Sequence, residues 1–394
     1  MTWRFLTSGE SHGRGLLVIV EGLPAGLPVT KEGLDSAMAR RRRGFGRGGR
    51  KNIERDELAV WGGLRGGLTT GGPVGISLGN AEWESWDSAM NPWSTDPAAV
   101  LEKAVTAPRP GHADLSGGIK FNAPDMRNIL ERASARSTAP RTVAGALAAL
   151  VLEELGVTVR SAVESIGGVG AALPSSCDEW RRAALSDLGV GRKEDEPALK
   201  RRIELAMEEE TSLGGTFVIS ATGLPAGIGS FTEWDRRLDG RLAGAIMAIP
   251  AIKGVEFGEG FTSSFLSGRD VHDALSVRDG RWTRETNRAG GLEGGMTTGS
   301  EIRIRAAMKP IPTMKRGLPS FDAASGRPVA AHSERSDACA VPAAAVVGEA
   351  AAAWIIGATV AEQFGGDTMD DLKERFEKFK KHGEGWNLHD GAKG

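Results

Sequence analysis

Val18-Ile19-Val20-Glu21-Gly22-Leu23-Pro24-Ala25-Gly26 returns later in the chain, one residue longer, as Val218-Ile219-Ser220-Ala221-Thr222-Gly223-Leu224-Pro225-Ala226-Gly227. A second echo keeps the same order. Gly66-Gly67-Leu68-Thr69-Thr70-Gly71 in the first half answers Gly294-Gly295-Met296-Thr297-Thr298-Gly299 in the second, each leading into a strand-like run. Self-similarity in a fixed order is the mark of a repeated unit. It predicts an old duplication, with two similar α/β halves packed about a pseudo-two-fold axis.

Local patterns around the echoes supply the elements. Leu16–Glu21 reads as a buried strand that ends in the Gly22–Gly26 turn. A helix follows from Thr30 to Arg43, with Leu34, Ala37, Met38 and Arg41 on one face, and stops at Gly44. Val143, Leu147, Leu150 and Val151 mark another amphipathic helix, closed by Gly156. The polar stretch 174–196 reads as a surface excursion. Thr216–Gly223 and Glu301–Ala307 alternate like strands. Val341–Val360 is apolar and alanine-rich but carries Glu349, which favours a buried core helix over a membrane span. Asp370–His382 reads as a charged helix ahead of a loose tail.

Composition narrows the class. The 394 residues carry a net charge of -2, so any basic function must be local. The 55 glycines are about twice ordinary usage. They are not periodic, and they point to tight turns and close backbone approaches. Two cysteines, Cys177 and Cys339, form no CxxC and give no disulfide framework or zinc site, as suits a reducing, cytoplasmic setting. The N-terminal segment lacks the apolar core of a signal peptide.

Several segments carry chemistry. In Gly9-Glu10-Ser11-His12-Gly13 the imidazole lies among small residues, open to a ligand, and suits general acid work near neutrality. Arg109-Pro110-Gly111-His112-Ala113-Asp114 sets a second histidine after a rigid turn, beside an arginine fit for an anion that must be held and protonated. Arg40–Lys51 concentrates seven cations in twelve residues. Its Gly44-Phe45-Gly46-Arg47-Gly48-Gly49 matches G-x-G-x-x-G, but a basic helix precedes it where a dinucleotide fingerprint needs a strand. It reads better as a cationic loop over a phosphorylated, carboxylated small molecule. A solvated basic face and an RNA-gripping loop are the alternatives, the latter weakened by sparse aromatics and the slightly acidic net charge.

Arg127, Arg132, Arg136 and Arg141 punctuate one stretch, and the spacing would put Arg132 and Arg136 on one helical face. Lys309-Pro310-Ile311-Pro312-Thr313 forms a stiff loop that could lie against a flat ring. Asp337 is either a helix-start carboxylate or a proton acceptor, and Cys339 reads as core packing.

Taken together, GESHG, RRRRGFGRG, RPGHAD, ERASARSTAPR, KGVEFG, GGLEGGMTTG, KPIPT and RSDACAVPA resemble the chorismate synthase family, in its order, over about residues 1–365. The resemblance implies a sandwich of helices between antiparallel sheets. It implies one catalytic domain over 1–365 followed by a charged helix and tail at 366–394, and a homotetramer. It implies a lyase that removes phosphate from 5-enolpyruvylshikimate 3-phosphate with reduced FMN, and NADPH or a separate flavin reductase as the source of reductant. His12 and His112 would be proton donors, and Asp337, with Ser11 nearby, part of the proton route. Flavin contacts would fall on Arg132, Ala133, Ser134, Ala251, Gly294, Lys309, Pro310, Ile311, Pro312, Thr313 and Arg335. Arg41 and Arg47 match positions for pyridine nucleotide or anion binding, and Arg109 and Arg136 would hold substrate anions. Ala133, Ser137, Thr211 and Pro250 depart from the usual pattern, and the chain has no tyrosine.

Overall fold

Leu16, Val18 and Val20 alternate with more exposed neighbours, and this period of two turns one face of their strand inward. The computed structural model describes residues 2–47, 56–278, 281–334, 337–384 and 386. Its first half runs β1 (Arg4–Gly9), β2 (Gly15–Glu21), α1 (Lys31–Arg42), β3 (Leu58–Gly62), a hairpin of β4 (Leu64–Arg65) and β5 (Leu68–Thr69), and β6 (Val74–Gly79). The sheet order is β1-β2-β6-β3, all antiparallel. Thr30 starts α1, its side chain accepting from the Gly33 amide.

A long connection follows, carrying α2 (Trp83–Met90), α3 (Pro97–Lys103), α4 (Asp114–Phe121) and α5 (Arg127–Ala133). It leads into α6 (Thr138–Glu154). The second half opens with β7 (Thr158–Ile166) and β8 (Val169–Gly170), then α7 (Cys177–Leu185) and α8 (Glu196–Glu208). The polar excursion therefore contains a helix capped by Ser176, and Leu188 and Val190 beyond it are buried. After it come β9 (Gly215–Thr222), α9 (Leu238–Met247), β10 (Ile252–Phe257), α10 (Gly268–Val271), a hairpin of β11 (Leu275–Arg278) and β12 (Arg281–Arg284), a hairpin of β13 (Leu292–Glu293) and β14 (Met296–Thr297), and β15 (Ile302–Met308). A connection bearing β16 (Pro319–Phe321) and β17 (Pro328–Ala330) leads to α11 (Val341–Phe364) and α12 (Met369–Glu384).

The second sheet is ordered β10-β15-β9-β7-β8, again antiparallel. With β8 set aside, this is the first order repeated: β7, β9, β15 and β10 stand where β1, β2, β6 and β3 stood. The echoed motifs repeat to the atom. Thr69 Oγ1 accepts from the Leu27 amide and donates to the Pro24 carbonyl, while Thr297 Oγ1 accepts from Ile228 and donates to Pro225. The duplication expected from sequence is therefore present as matching topology and matching hydrogen bonds.

Helices fill the space between the sheets. Helix α6 packs on β2, α11 on β7 and β9, and α6 and α11 pack on each other. Small residues let them approach: a Cβ at Gly145 would lie 2.3 Å from the Ala350 carbonyl oxygen. Helix α11 is long and apolar enough to cross a membrane, but 72% of its most apolar window is buried within the protein. Glu349, the charge that interrupts it, receives both ends of Arg40 at 2.6 and 2.7 Å and the Ser161 hydroxyl at 2.9 Å. Cys339 sits in this core, where burial pushes its thiol up to about 11 and leaves it an inert packing group. Met369, Leu372 and Phe376 of α12 also reach the core.

Candidate active site

A cavity of about 600 Å³ opens between the two halves, lined by residues from four connections. The β6-to-α6 connection gives Arg109, His112 and Arg132–Ser137, and the β15-to-α11 connection gives Lys309, Ile311–Thr313, Glu334 and Asp337. The α1-to-β3 connection gives Arg47, and the α9-to-β10 connection gives Ile249, Pro250 and Ala251. By topology these are two equivalent pairs, so the site lies where the repeats face each other.

His112 is held by a carboxylate. Its Nδ1 lies 2.5 Å from Asp114 Oδ1, and the other Asp114 oxygen accepts from Arg109 Nε at 2.7 Å. Arg109 also donates to Thr313 Oγ1 at 2.8 Å, which ties the two connections together. Burial alone would raise the Asp114 carboxyl, but hydrogen bonds from His112 and Arg109 overcome this and hold it well below the usual range. A proton on Nδ1 satisfies the carboxylate and leaves Nε2 as the atom that exchanges protons.

His12 has a second arrangement of the same kind. Glu131, its side chain wholly buried, accepts from the His12 backbone amide at 2.6 Å and meets His12 Nδ1 at 2.7 Å. Arg127 contacts Glu131 at 3.3 Å and Glu334 at 2.7 Å, and Glu334 is in turn 3.2 Å from His332. Trp86 stacks on the His12 ring with centroids 4.0 Å apart. Burial pushes Glu334 upward, but the His332 and Arg127 hydrogen bonds and nearby positive charge bring it down to about 2. A carboxyl lowered on folding contributes stability above its unfolded value near 4.5 and loses it as pH falls toward 2. Glu334→Gln is therefore expected to flatten the stability-versus-pH curve in that window, read by urea unfolding at stepped pH. An unchanged acid slope would show that this network contributes nothing.

The expected site residues distribute as follows. His112, Asp337, Arg41, Arg47, Arg109, Arg132, Ala133, Ser134, Arg136, Ala251, Lys309, Ile311, Pro312 and Thr313 all line the cavity. Ser11 and His12 do not, though Ser134 reaches Ser11 with hydroxyls 3.2 Å apart. Pro310 is not in the lining either. Gly294 sits in the turn of the β13–β14 hairpin away from it, and Arg335 lies outside the described residues. The end of the cationic loop, 48–55, is likewise outside them.

One expectation is corrected. Arg132 and Arg136 do not share a helical face, because α5 ends at Ala133 and Ser134 is extended (φ -58°, ψ 146°). The Ser134 hydroxyl then accepts from the Arg136 amide and starts a 3-10 turn. The break sends Arg132 to the Thr7 backbone and hydroxyl, and Arg136 to Asp56 and Asn80.

The described basic run is turned inward. Arg40 meets Glu349, Arg41 donates to Thr138 at 3.0 Å, Arg43 donates to the Ala184 carbonyl, and Arg47 Nε donates to Asp337 at 3.1 Å. Such pairing favours a shaped anion pocket over a polyanion-binding strip. Asp337 does not cap α11, whose cap residue is Ala340. It is fixed because the Ala338 amide donates to Gly46 and its carbonyl accepts from Leu213.

The family model for chorismate synthase matches residues 3–360. The chain belongs to the chorismate synthase family. A chorismate synthase from Moorella thermoacetica is 50% identical, over 96% of this chain and 98% of that one. One from Thermus thermophilus is 46% identical, over 96% and 98%. A solved structure described as the crystal structure of chorismate synthase matches with a TM-score of 0.79 at 37% identity, covering 98% of this chain and 99% of that one. The protein is thus an enzyme, a lyase of aromatic biosynthesis, with the fold of its family. Among the departures from the family pattern, Ala133, Ser137 and Pro250 all line the cavity, while Thr211 donates toward the Met314 sulfur at 3.6 Å.

Proposed function

We propose that the enzyme converts 5-enolpyruvylshikimate 3-phosphate to chorismate and phosphate by 1,4-anti elimination, with reduced FMN bound in the cavity. The observation that carries this reading is an imidazole, His112, oriented by Asp114 beside Arg109 and sharing one cavity with Asp337. The lining suits a flavin. Ile249–Ile252, Ile311 and Pro312 offer an apolar wall for a planar ring, and about 600 Å³ lies within the usual ~300–1,000 Å³ of cofactor sites.

When bound, reduced flavin supplies electron density as the bond from substrate carbon to phosphate breaks. The chain's residues do the rest. Arg109, Arg136 and Arg47 place the anionic groups of the substrate, and His112 gives its Nε2 proton to the departing phosphate. Asp337 accepts the proton lost from C6, with Ser11 reached through Ser134. His12, fixed by Glu131 just outside the lining, would be the second donor. Carbon loses one proton and one phosphate, so no net oxidation occurs.

Residues 1–365 act as the catalytic domain, with 366–394 an appended helix and tail. The working form is a cytoplasmic homotetramer, to whose contacts we assign the exposed Phe261, Phe265 and Trp282 around β11 and β12. Anaerobic incubation with the substrate and chemically reduced FMN is expected to release phosphate and chorismate in equal amounts. No release above the enzyme-free control would end the proposal. The same assay with oxidised FMN and NADPH reads whether the protein reduces its own flavin through Arg41 and Arg47 or depends on a separate reductase.

A further inference from the structure

Trp86 has an unusual set of neighbours for an indole. Helix α2 buries none of its residues, and Trp86 belongs to neither hydrophobic cluster of the described residues. Its ring partners are polar or charged instead. The His12 imidazole stacks on it with centroids 4.0 Å apart and planes 22° apart. Arg127 lies over the ring at 5.1 Å and Lys103 at 5.2 Å. An aromatic face carries negative potential, so it can hold together cations that otherwise repel one another. Core packing does not account for a half-buried tryptophan placed in this way.

One side chain links this ring to the histidine turn. Asn80, just beyond β6, donates to the Glu10 carbonyl at 3.0 Å and to the Gly13 carbonyl at 2.7 Å. Its own carbonyl accepts from the Trp83 amide at 3.2 Å and so starts the chain into α2. The turn bearing His12 and the helix bearing Trp86 therefore hang from the same residue. Glu131 fixes the imidazole at its Nδ1 edge, and Trp86 covers one face. Nε2 is then the ring nitrogen with no hydrogen-bond partner among the described residues. The Trp86 indole N–H has none there either, so this side chain acts through its face.

We propose that Trp86 is a positioning residue for His12, its flat face and Glu131 together holding the imidazole at one tilt with Nε2 as the working atom. This rests on the reading of His12 as the second proton donor. An aliphatic side chain of similar bulk would fill the space but offer no plane against which the ring could align. A proton donor that is free to tilt spends less time in the geometry that transfers its proton.

The test compares the full-length wild type with Trp86→Leu and Trp86→Phe. Turnover of the shikimate phosphoester with reduced FMN is measured anaerobically. Acylation of His12 by diethyl pyrocarbonate, without substrate or flavin, is followed by peptide mass spectrometry. Trp86→Leu is expected to lower kcat about tenfold to a hundredfold, the loss from a donor misplaced by ~1 Å, with KM little changed. It is also expected to speed His12 acylation, while His112 reacts at the wild-type rate. Trp86→Phe restores a flat face and is expected to recover most of both, which separates alignment from folding. Wild-type kcat in Trp86→Leu would overturn the proposal. So would equal losses in the two variants, or a kcat loss with His12 acylation unchanged. No turnover by the wild type would overturn the functional reading instead. His12 acylation would then still decide the role of Trp86: faster in Trp86→Leu alone supports it, and equal rates in both variants refute it.

Discussion

His112→Ala is expected to lower turnover with reduced FMN about 10²–10⁴-fold, the range for removing a positioned general acid. The imidazole is not merely near the cavity. Asp114, fully buried behind it, fixes the ring at Nδ1 and is itself fixed by Arg109. FMN affinity, measured by fluorescence quenching, should change no more than a few-fold, because the loss falls on proton transfer and not on the cavity wall. Wild-type turnover in the variant would remove His112 from the mechanism.

Glu131→Ala is expected to cost about 3–5 kcal/mol of stability, the range for removing one partner of a buried ion pair. The side chain is wholly buried and serves the His12 amide, the His12 ring and Arg127 together. Alanine would leave Arg127 with Glu334 as its remaining carboxylate partner among the described residues, and strand the His12 N–H in the interior. Urea unfolding monitored by tryptophan fluorescence is the measurement. A midpoint and slope matching wild type would show that Glu131 is not holding this side of the site.

Much of this architecture could be read from the chain before any coordinates. The repeated Gly-Leu-Pro-Ala-Gly and Gly-Gly-x-Thr-Thr-Gly segments announced two halves because each is a turn stitched by a threonine hydroxyl, and such turns tolerate few sequences. Their hydrogen bonds are local, so their signal is local too. Arg109, His112 and Asp114 were legible for the same reason, lying within six residues.

What could not be read was set by contacts far apart in sequence. Glu131 finds His12 across 119 residues, and Asp56 collects Arg136 across 80. Trp86 sits in an unremarkable polar helix, yet its ring covers His12. The break at Ser134 was hidden because Arg-Ala-Ser-Ala-Arg is as compatible with a continuous helix as with an interrupted one. Tertiary demand for two differently aimed arginines decides it. Lys253 opens the KGVEFG segment, but nothing within that segment marks it as facing a cavity; it follows the turn at Ala251 onto the cavity wall.

The paired connections around the cavity have a consequence for how such a pocket can change. A half-length ancestor pairing with a copy of itself would have presented each wall twice, so every useful substitution would have come with an unwanted mirror image. Joined in one polypeptide, the two walls are free to diverge: one now supplies His112 and Arg109, the other Lys309, Thr313 and Asp337. A lopsided small molecule can thus be gripped by a frame that is itself nearly even-handed.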